Sequence, residues 1–301
     1  MLIALEHTRR LRGGAQAHLM RCSDGNYYVV KFQNNPQGKR ILVNEWIGTR
    51  LAIALGLPAP PCSIINAPAT LIRYLPALAV QTRVGRVPCS SGLQFGSRYP
   101  AYPGDEFLSD FVPRDKLLNV SNFRDFPGML AFDKWTCNTD GRQVVFIRHW
   151  FGSSLAVMMI DNGFCFNGNE WDFPDAPLRS LYKRIDVYGA VSGLSSFEPW
   201  LSRIEALKET DLAKIAEEVP AEWAGIERDA LHRMLECLWY RRLKVRALLL
   251  STARALPEVF PKWRLSRIPM RLSLKRTVRG KLSSGASGTK TVVQRNWTTY
   301  T

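Results

Sequence analysis

The chain has 301 residues, 46% of them apolar and 22% charged, enough to bury a substantial core as one large domain or two. That balance excludes a collagenous or wholly disordered chain, and no apolar run approaches the roughly 18 residues of a membrane span. The net charge is +15, but ten Lys or Arg and no Asp or Glu lie from residue 261 to the end, which leaves the preceding 260 residues at only +5.

Residues 1–7 lack the apolar core of a signal peptide. Six cysteines form no C-x-x-C pair and four histidines show no ligand spacing, which argues against a disulfide framework or a zinc site. A reducing cytoplasm is the expected setting.

Taken in order, the chain first offers Gly13-Gly14, followed by Gln16. A glycine pair lets backbone N–H groups approach a phosphate, although Gly-Gly also marks plain turns. Asp24-Gly25-Asn26 then predicts a tight turn between two strands, the second being Tyr27-Tyr28-Val29-Val30-Lys31-Phe32. Lys31 shares a strand face with Tyr27 and Val29, a face expected to be packed, so its ammonium needs a partner. Leu42, Trp46, Ile47, Leu51 and Leu55 recur at helical spacing, with Gly56 and Pro58 ending the helix. Glu45, early in that helix, can reach back to Lys31, as a kinase uses a strand Lys and a helix Glu to hold phosphates. The competing reading is a snorkelling Lys and a solvated Glu.

Residues 57–75 read as strands, Cys62-Ser63-Ile64-Ile65 and Thr70 to Leu75. The Gly-, Ser- and aromatic-rich residues 88–103 read as a connector between two lobes. Helical pieces are expected over 116–122 and 127–135. Two apolar runs, 144–147 and 155–160, flank a Gly152-Ser153-Ser154 turn signal and predict a hairpin. A hairpin brings Asp140, before its first strand, beside Asp161, after its second. Two carboxylates at one sheet edge suit metal-assisted phosphoryl transfer, one orienting a hydroxyl and the other holding Mg²⁺. The competing reading is two solvated turn residues. Beyond the loop 167–174 the chain turns helical, in a broken stripe over 201–215 and a long helix over 231–249. In that helix Arg241-Arg242-Leu243-Lys244 reads as a solvated face. The Gly-, Ser- and Thr-rich residues 261–301 read as a flexible basic tail, able to hold nucleic acid or another anionic partner electrostatically.

The stretch Phe132-Asp133-Lys134-Trp135-Thr136-Cys137-Asn138-Thr139-Asp140-Gly141-Arg142-Gln143, with Ile160-Asp161-Asn162-Gly163 after the hairpin, resembles the HipA-like kinases. These are a bacterial branch of the protein-kinase-like fold whose catalytic loop carries Asn-x-Asp. Gly92-Leu93-Gln94-Phe95-Gly96-Ser97-Arg98 and Val219-Pro220-Ala221-Glu222-Trp223 resemble stretches of the same group, and the likeness spans about residues 8–250. It implies an α+β, two-lobed fold: a small antiparallel-sheet lobe with one helix over 1–75, a mostly helical lobe over 76–260, and the tail 261–301.

The resemblance implies an ATP- and Mg²⁺-dependent Ser/Thr kinase. Asp140 would be the catalytic base, Asp161 would bind metal, Lys31 would hold the phosphates, and Glu45 would position Lys31. Gly13, Gly14 and Gln16 would lie in the phosphate-covering loop. Two residues depart from the pattern: Val145 stands where a metal-binding Asn is expected, and Asn162 stands in place of the Phe of Asp-Phe-Gly. Gln143 or Asn138 would then supply the second metal oxygen. The missing Asn keeps a nucleotide-binding pseudokinase in contention. The acceptor would be a protein or small-molecule hydroxyl, and an antitoxin-type partner is a family association.

Overall fold

The computed structural model describes residues 1–101, 108–148, 154–224 and 227–265. Residues 266–301 of the expected tail lie outside the described residues, as do Gly152 and Ser153 of the expected turn.

Strands β1 (Leu2–Arg10), β2 (His18–Cys22) and β3 (Tyr27–Lys31) follow one another antiparallel, the last two joined at the Asp24-Gly25 turn. Helix α1 (Arg40–Ala54) comes next, then β4 (Cys62–Ala67). The short helix α2 (Ala69–Tyr74) replaces the expected strand over 70–75. The reason lies in side-chain spacing. Leu71, Ile72 and Leu75 pack together against the barrel core at helical rather than alternate positions, after an extended Pro68. A two-stranded sheet of β5 (Ala79–Thr82) and β6 (Gly85–Pro88) follows.

The residues read as a connector form a central strand instead. β7 (Gly92–Arg98) lies between β3 and β4 and closes a barrel in the order β1-β2-β3-β7-β4. The limit expected at residue 75 thus falls before a strand of the same sheet. Glycine is tolerated inside this strand because a Cβ on Gly96 would sit 2.5 Å from Ile65 Cγ1. Tyr28, Val30 and Phe32 fill the barrel with Met20 and Ile65. The packed face of β3 is therefore this one, and Lys31 points from the opposite face.

The second half begins with β8 (Leu108–Ser109), α3 (Arg114–Leu118) and α4 (Asp125–Trp135). The hairpin β9 (Gln143–Arg148) and β10 (Leu155–Ile160) pairs in the register Gln143 to Ile160. The helices α5 (Trp200–Ala206), α6 (Glu209–Glu217), α7 (Ala221–Ala224), α8 (Arg228–Arg241) and α9 (Val245–Ala255) complete it. The expected long helix is broken by a 3₁₀ turn at Arg242–Lys244.

One core runs through this half, with Phe132, Trp135, Phe146, Val157, Leu201 and Leu238 among its members. It also takes in Leu42, Trp46, Ile47 and Leu51 of α1. Eleven residues of that 15-residue helix are buried, so α1 is packed nearly all round between barrel and helices. Its position is thereby fixed.

Beneath the β1–β2 turn, His18 Nδ1 lies 2.9 Å from His7 Nε2, and Cys89 Sγ lies 3.6 Å from His18 Nε2. Burial, helped by the neighbouring His7, depresses the His18 pKa to about 4. The unfolded chain then binds the extra proton more readily, so stability falls as pH drops from about 6.5 towards 4. Denaturant midpoints across that range are expected to show this loss, and His18→Gln is expected to flatten it.

Candidate active site

The Lys31 ammonium is buried, and a buried cation persists only with partners. It has two. Its Nζ donates to Glu45 Oε1 from α1 and to Asp161 Oδ1 at the end of β10, the latter at 2.9 Å. Burial alone would favour the neutral amine, but the facing carboxylates outweigh it and raise the Lys31 pKa. For Asp161 burial works against ionisation, yet Lys31 prevails and holds its carboxyl below the usual range. Glu45 is pushed up, by burial first and by the Asp161 charge as well, with Lys31 opposing. The Asp161 side chain keeps 27% of its surface exposed, so the cluster opens to solvent on that side.

Asp161 sits in the left-handed backbone region at φ 59°. The next turn has no room for a side chain at Gly163, where a Cβ would lie 2.8 Å from Ile41 Cγ2 and 3.3 Å from Glu45 Oε1. Between them Asn162 is buried and bonded at every polar group named here. Its N–H donates to Glu45 Oε2 (3.1 Å), its Nδ2 donates to Thr49 Oγ1 (3.0 Å), and its Oδ1 accepts from Arg142 Nη1 (3.1 Å). An apolar Phe could make none of these side-chain bonds. The departure at this position is thus built into a polar network.

That network continues to the loop before β9. Arg142 is buried in a two-point pair with Asp133 of α4, its Nε 2.9 Å from Oδ2 and its Nη2 on Oδ1, while Nη1 donates to the Ile160 carbonyl at 2.9 Å. Asn138 Nδ2 donates to Asp133 Oδ1 (3.0 Å), and Asn138 Oδ1 accepts the Asp140 N–H (3.1 Å). Both ends of the Asn138 amide are thereby engaged in bracing the loop. It is not presented as a ligand.

Asp140 itself is exposed. Its Oδ1 accepts the Gly141 N–H (2.8 Å) and its Oδ2 accepts Gln143 Nε2 (3.0 Å). It stands at the same open end of the hairpin as Asp161, because Gln143 and Ile160 are register partners. Val145 is two residues further along and packs with Ile147, Ala156 and Met158 in a small apolar cluster. A side-chain oxygen is therefore absent there, and Gln143, the register partner of Ile160, is the strand residue that carries a side-chain oxygen beside the end of β10.

Gly13 and Gly14 lie in the turn between β1 and β2, with the Gln37 side chain against Gly14. The Gln16 side chain is bonded to Arg10 and to the Gln81 backbone. Its Oε1 accepts from Arg10 Nη2 and the Gln81 N–H, both at 2.6 Å, and its Nε2 donates to the Gln81 carbonyl at 2.8 Å. Gln16 lies in the same loop as Gly13 and Gly14 and fastens it to β5.

Residues 5–147 match the model of the HipA-like kinase family. That segment is similar to the HipA-like kinases. It includes Lys31, Glu45 and Asp140, whereas Asp161 follows its end. No curated protein matches the chain. Among solved structures, the Helicobacter pylori proinflammatory kinase CtkA is similar with TM-score 0.54 at 14% identity, covering 83% of this chain and 97% of that one. The Golgi casein kinase gives TM-score 0.49 at 12% identity, covering 84% of this chain and 72% of that one. At such identities the CtkA likeness shows the fold alone. The fold is protein-kinase-like and α+β.

Two cations carry positions that local patterns did not reveal. Lys134 Nζ donates to the carbonyls of Pro177 (2.8 Å) and Arg179 (2.6 Å). Arg241, expected on a solvated face, is buried, donating to the carbonyls of Lys134 and Phe173 (both 3.0 Å) and to Asp175 (2.9 Å). Together they hold residues 173–179 against α4. The available signal was two charges, Asp133 and Lys134, inside an otherwise apolar helix.

Removing Arg142 strands the Asp133 carboxylate in the core. Arg142→Leu is expected to lower unfolding free energy by about 3–5 kcal/mol in urea titrations.

Proposed function

We propose that the protein is an ATP- and Mg²⁺-dependent phosphotransferase acting on Ser or Thr hydroxyls of a protein acceptor. The observation that carries this reading is the convergence of Lys31, Glu45 and Asp161, from three separate elements, on one buried ammonium beside a partly open carboxylate. In a kinase the strand Lys neutralises α/β-phosphate charge and the helix Glu holds it in place. Asp140, exposed and held by Gly141 and Gln143, would orient the acceptor hydroxyl and take its proton. Gly13 and Gly14 would cover the phosphates. The small lobe would then comprise the barrel with α1, and the helical lobe the residues beyond it.

The fit of a divalent metal rests on the donors at the hairpin's open end. Among the described residues no group of three or more His, Cys, Asp or Glu assembles, so no all-protein cage exists. Mg²⁺ does not require one, since it keeps several waters and takes one or two carboxylates plus phosphate oxygens. Asp161 would supply the carboxylate, and the Gln143 carboxamide oxygen, whose amide nitrogen is spent on Asp140, would supply a neutral donor in place of Asn138. When bound, the metal would neutralise charge on the transferring phosphoryl group.

A second reading is nucleotide binding without transfer. Val145, packed in an apolar cluster where an Asn is expected, favours it. Incubation with labelled ATP and Mg²⁺ separates the two. Transfer by wild type is expected, with Asp140→Ala lowering it by about 10²–10⁴-fold, and Lys31→Met weakening ATP binding as well. Thermal stabilisation by nucleotide with no labelled product from wild type would instead establish the second reading.

A further inference from the structure

The stretches 92–98 and 219–223, which resemble the family but hold no reacting group, meet each other at one corner of the molecule. β7 pairs with β3 in a register that sets Phe95 opposite Lys31. Just beyond, the Gln33 N–H donates to Gln94 Oε1 (2.8 Å) and Gln33 Nε2 donates to the Leu93 carbonyl (2.9 Å). α7 reaches the same corner from the helical half. The Glu222 carboxylate accepts from Gln33 Nε2 (3.0 Å) and from the Leu93 N–H (3.3 Å). Its backbone carbonyl accepts from Lys39 Nζ (3.1 Å), immediately before α1. Trp223 donates its Nε1–H to the Leu93 carbonyl (2.7 Å) and meets Trp46, the neighbour of Glu45, edge-on at 6.4 Å between ring centroids.

One short helix therefore grips the strand that carries Lys31, the strand beside it, and the helix that carries Glu45. Glu222 is exposed, so its carboxylate adds nothing to core burial; its bonds go to Gln33 and Leu93. Leu93 is held at both its N–H and its carbonyl by consecutive residues of α7. Strand ends held only by their own ladder open easily, and the spacing between β3 and α1 decides whether an ammonium on one and a carboxylate on the other stay in register.

We propose that Glu222 and Trp223 are positioning residues that keep Lys31 and Glu45 aligned for nucleotide phosphates, an inference that rests on the phosphotransferase reading above. They touch neither nucleotide nor acceptor. Their effect is carried through Gln33, Leu93 and Trp46 to the buried pair. It follows that loosening them weakens the grip on phosphates without weakening whatever grip exists on the nucleoside.

Calorimetric titration with adenosine and with ATP plus Mg²⁺ tests this in the full chain. Wild type is expected to prefer ATP. Glu222→Ala and Trp223→Phe are each expected to reduce ATP affinity by on the order of tenfold, with adenosine affinity held in both and Tm held in Glu222→Ala. Glu222→Gln, which keeps a carbonyl oxygen able to accept from Leu93 and Gln33, is expected to restore most of the loss. If ATP affinity is unchanged in the two variants, or falls in step with adenosine affinity, the positioning role is overturned while the phosphotransferase reading stands. If wild type shows no preference for ATP over adenosine, that reading fails and the inference fails with it. Should Trp223→Phe not fold, Glu222→Ala decides alone, because its side chain is exposed on a helix where alanine is well tolerated.

Discussion

The buried ammonium of Lys31 constrains the middle of this molecule. Lys31 leaves β3 on the face away from the barrel core and would be costly there alone. Its two carboxylate partners come from α1 and from the end of β10. For all three groups to meet, α1 must lie across the barrel and the hairpin must end against α1. The near-complete burial of α1 and the absence of room at Gly163 are consequences of that meeting. The carboxylates in turn shift in opposite directions: Asp161 is held ionised by the ammonium, while the deeper Glu45 feels burial and the second negative charge more strongly. Such an uneven pair suits one partner that stays internal and one that turns outward.

Behind this cluster the protein uses polar connections where an apolar residue would be expected from the kinase pattern. Asp133, Arg142 and Asn162 link α4, the Asp140 loop and α1 through buried hydrogen bonds. A network of this kind is costly when half satisfied and rigid when complete. Here the Asn162 amide is engaged at both ends, so the loop bearing Asp161 has a defined resting place. Lys134 and Arg241 do the same for residues 173–179 by donating to backbone carbonyls. The described arrangement thus relies on built-in cations at both loops that border the site.

Much of this was legible because it is local. The Asp24-Gly25 turn, the aromatic and β-branched run of β3, the helical stripe of α1 and the two runs of the β9–β10 hairpin each declare themselves within a dozen residues, although the packed face of β3 does not. From them the approach of Lys31 to Glu45, and of Asp140 to Asp161 at one hairpin end, follows by geometry. What failed was non-local. β7 is rich in Gly and Ser, and only its two flanking strands, distant in sequence, make it a strand. The residues 70–75 are apolar enough for either structure, and packing on the barrel end chose a helix. Arg241 and Asn138 looked like surface or ligand residues because a buried charge or amide is recognised by its partners, which lie on other elements.

The most direct test is a crystal structure of the full chain with a non-hydrolysable ATP analogue and Mg²⁺. The expected result is a metal ion about 2.0–2.1 Å from an Asp161 carboxylate oxygen, with Lys31 Nζ in contact with the α/β-phosphates and the Gln143 amide turned towards the ion. A nucleotide bound elsewhere, or phosphates that leave Lys31 and Asp161 untouched, would contradict the claim that this buried cluster is a phosphate and metal site.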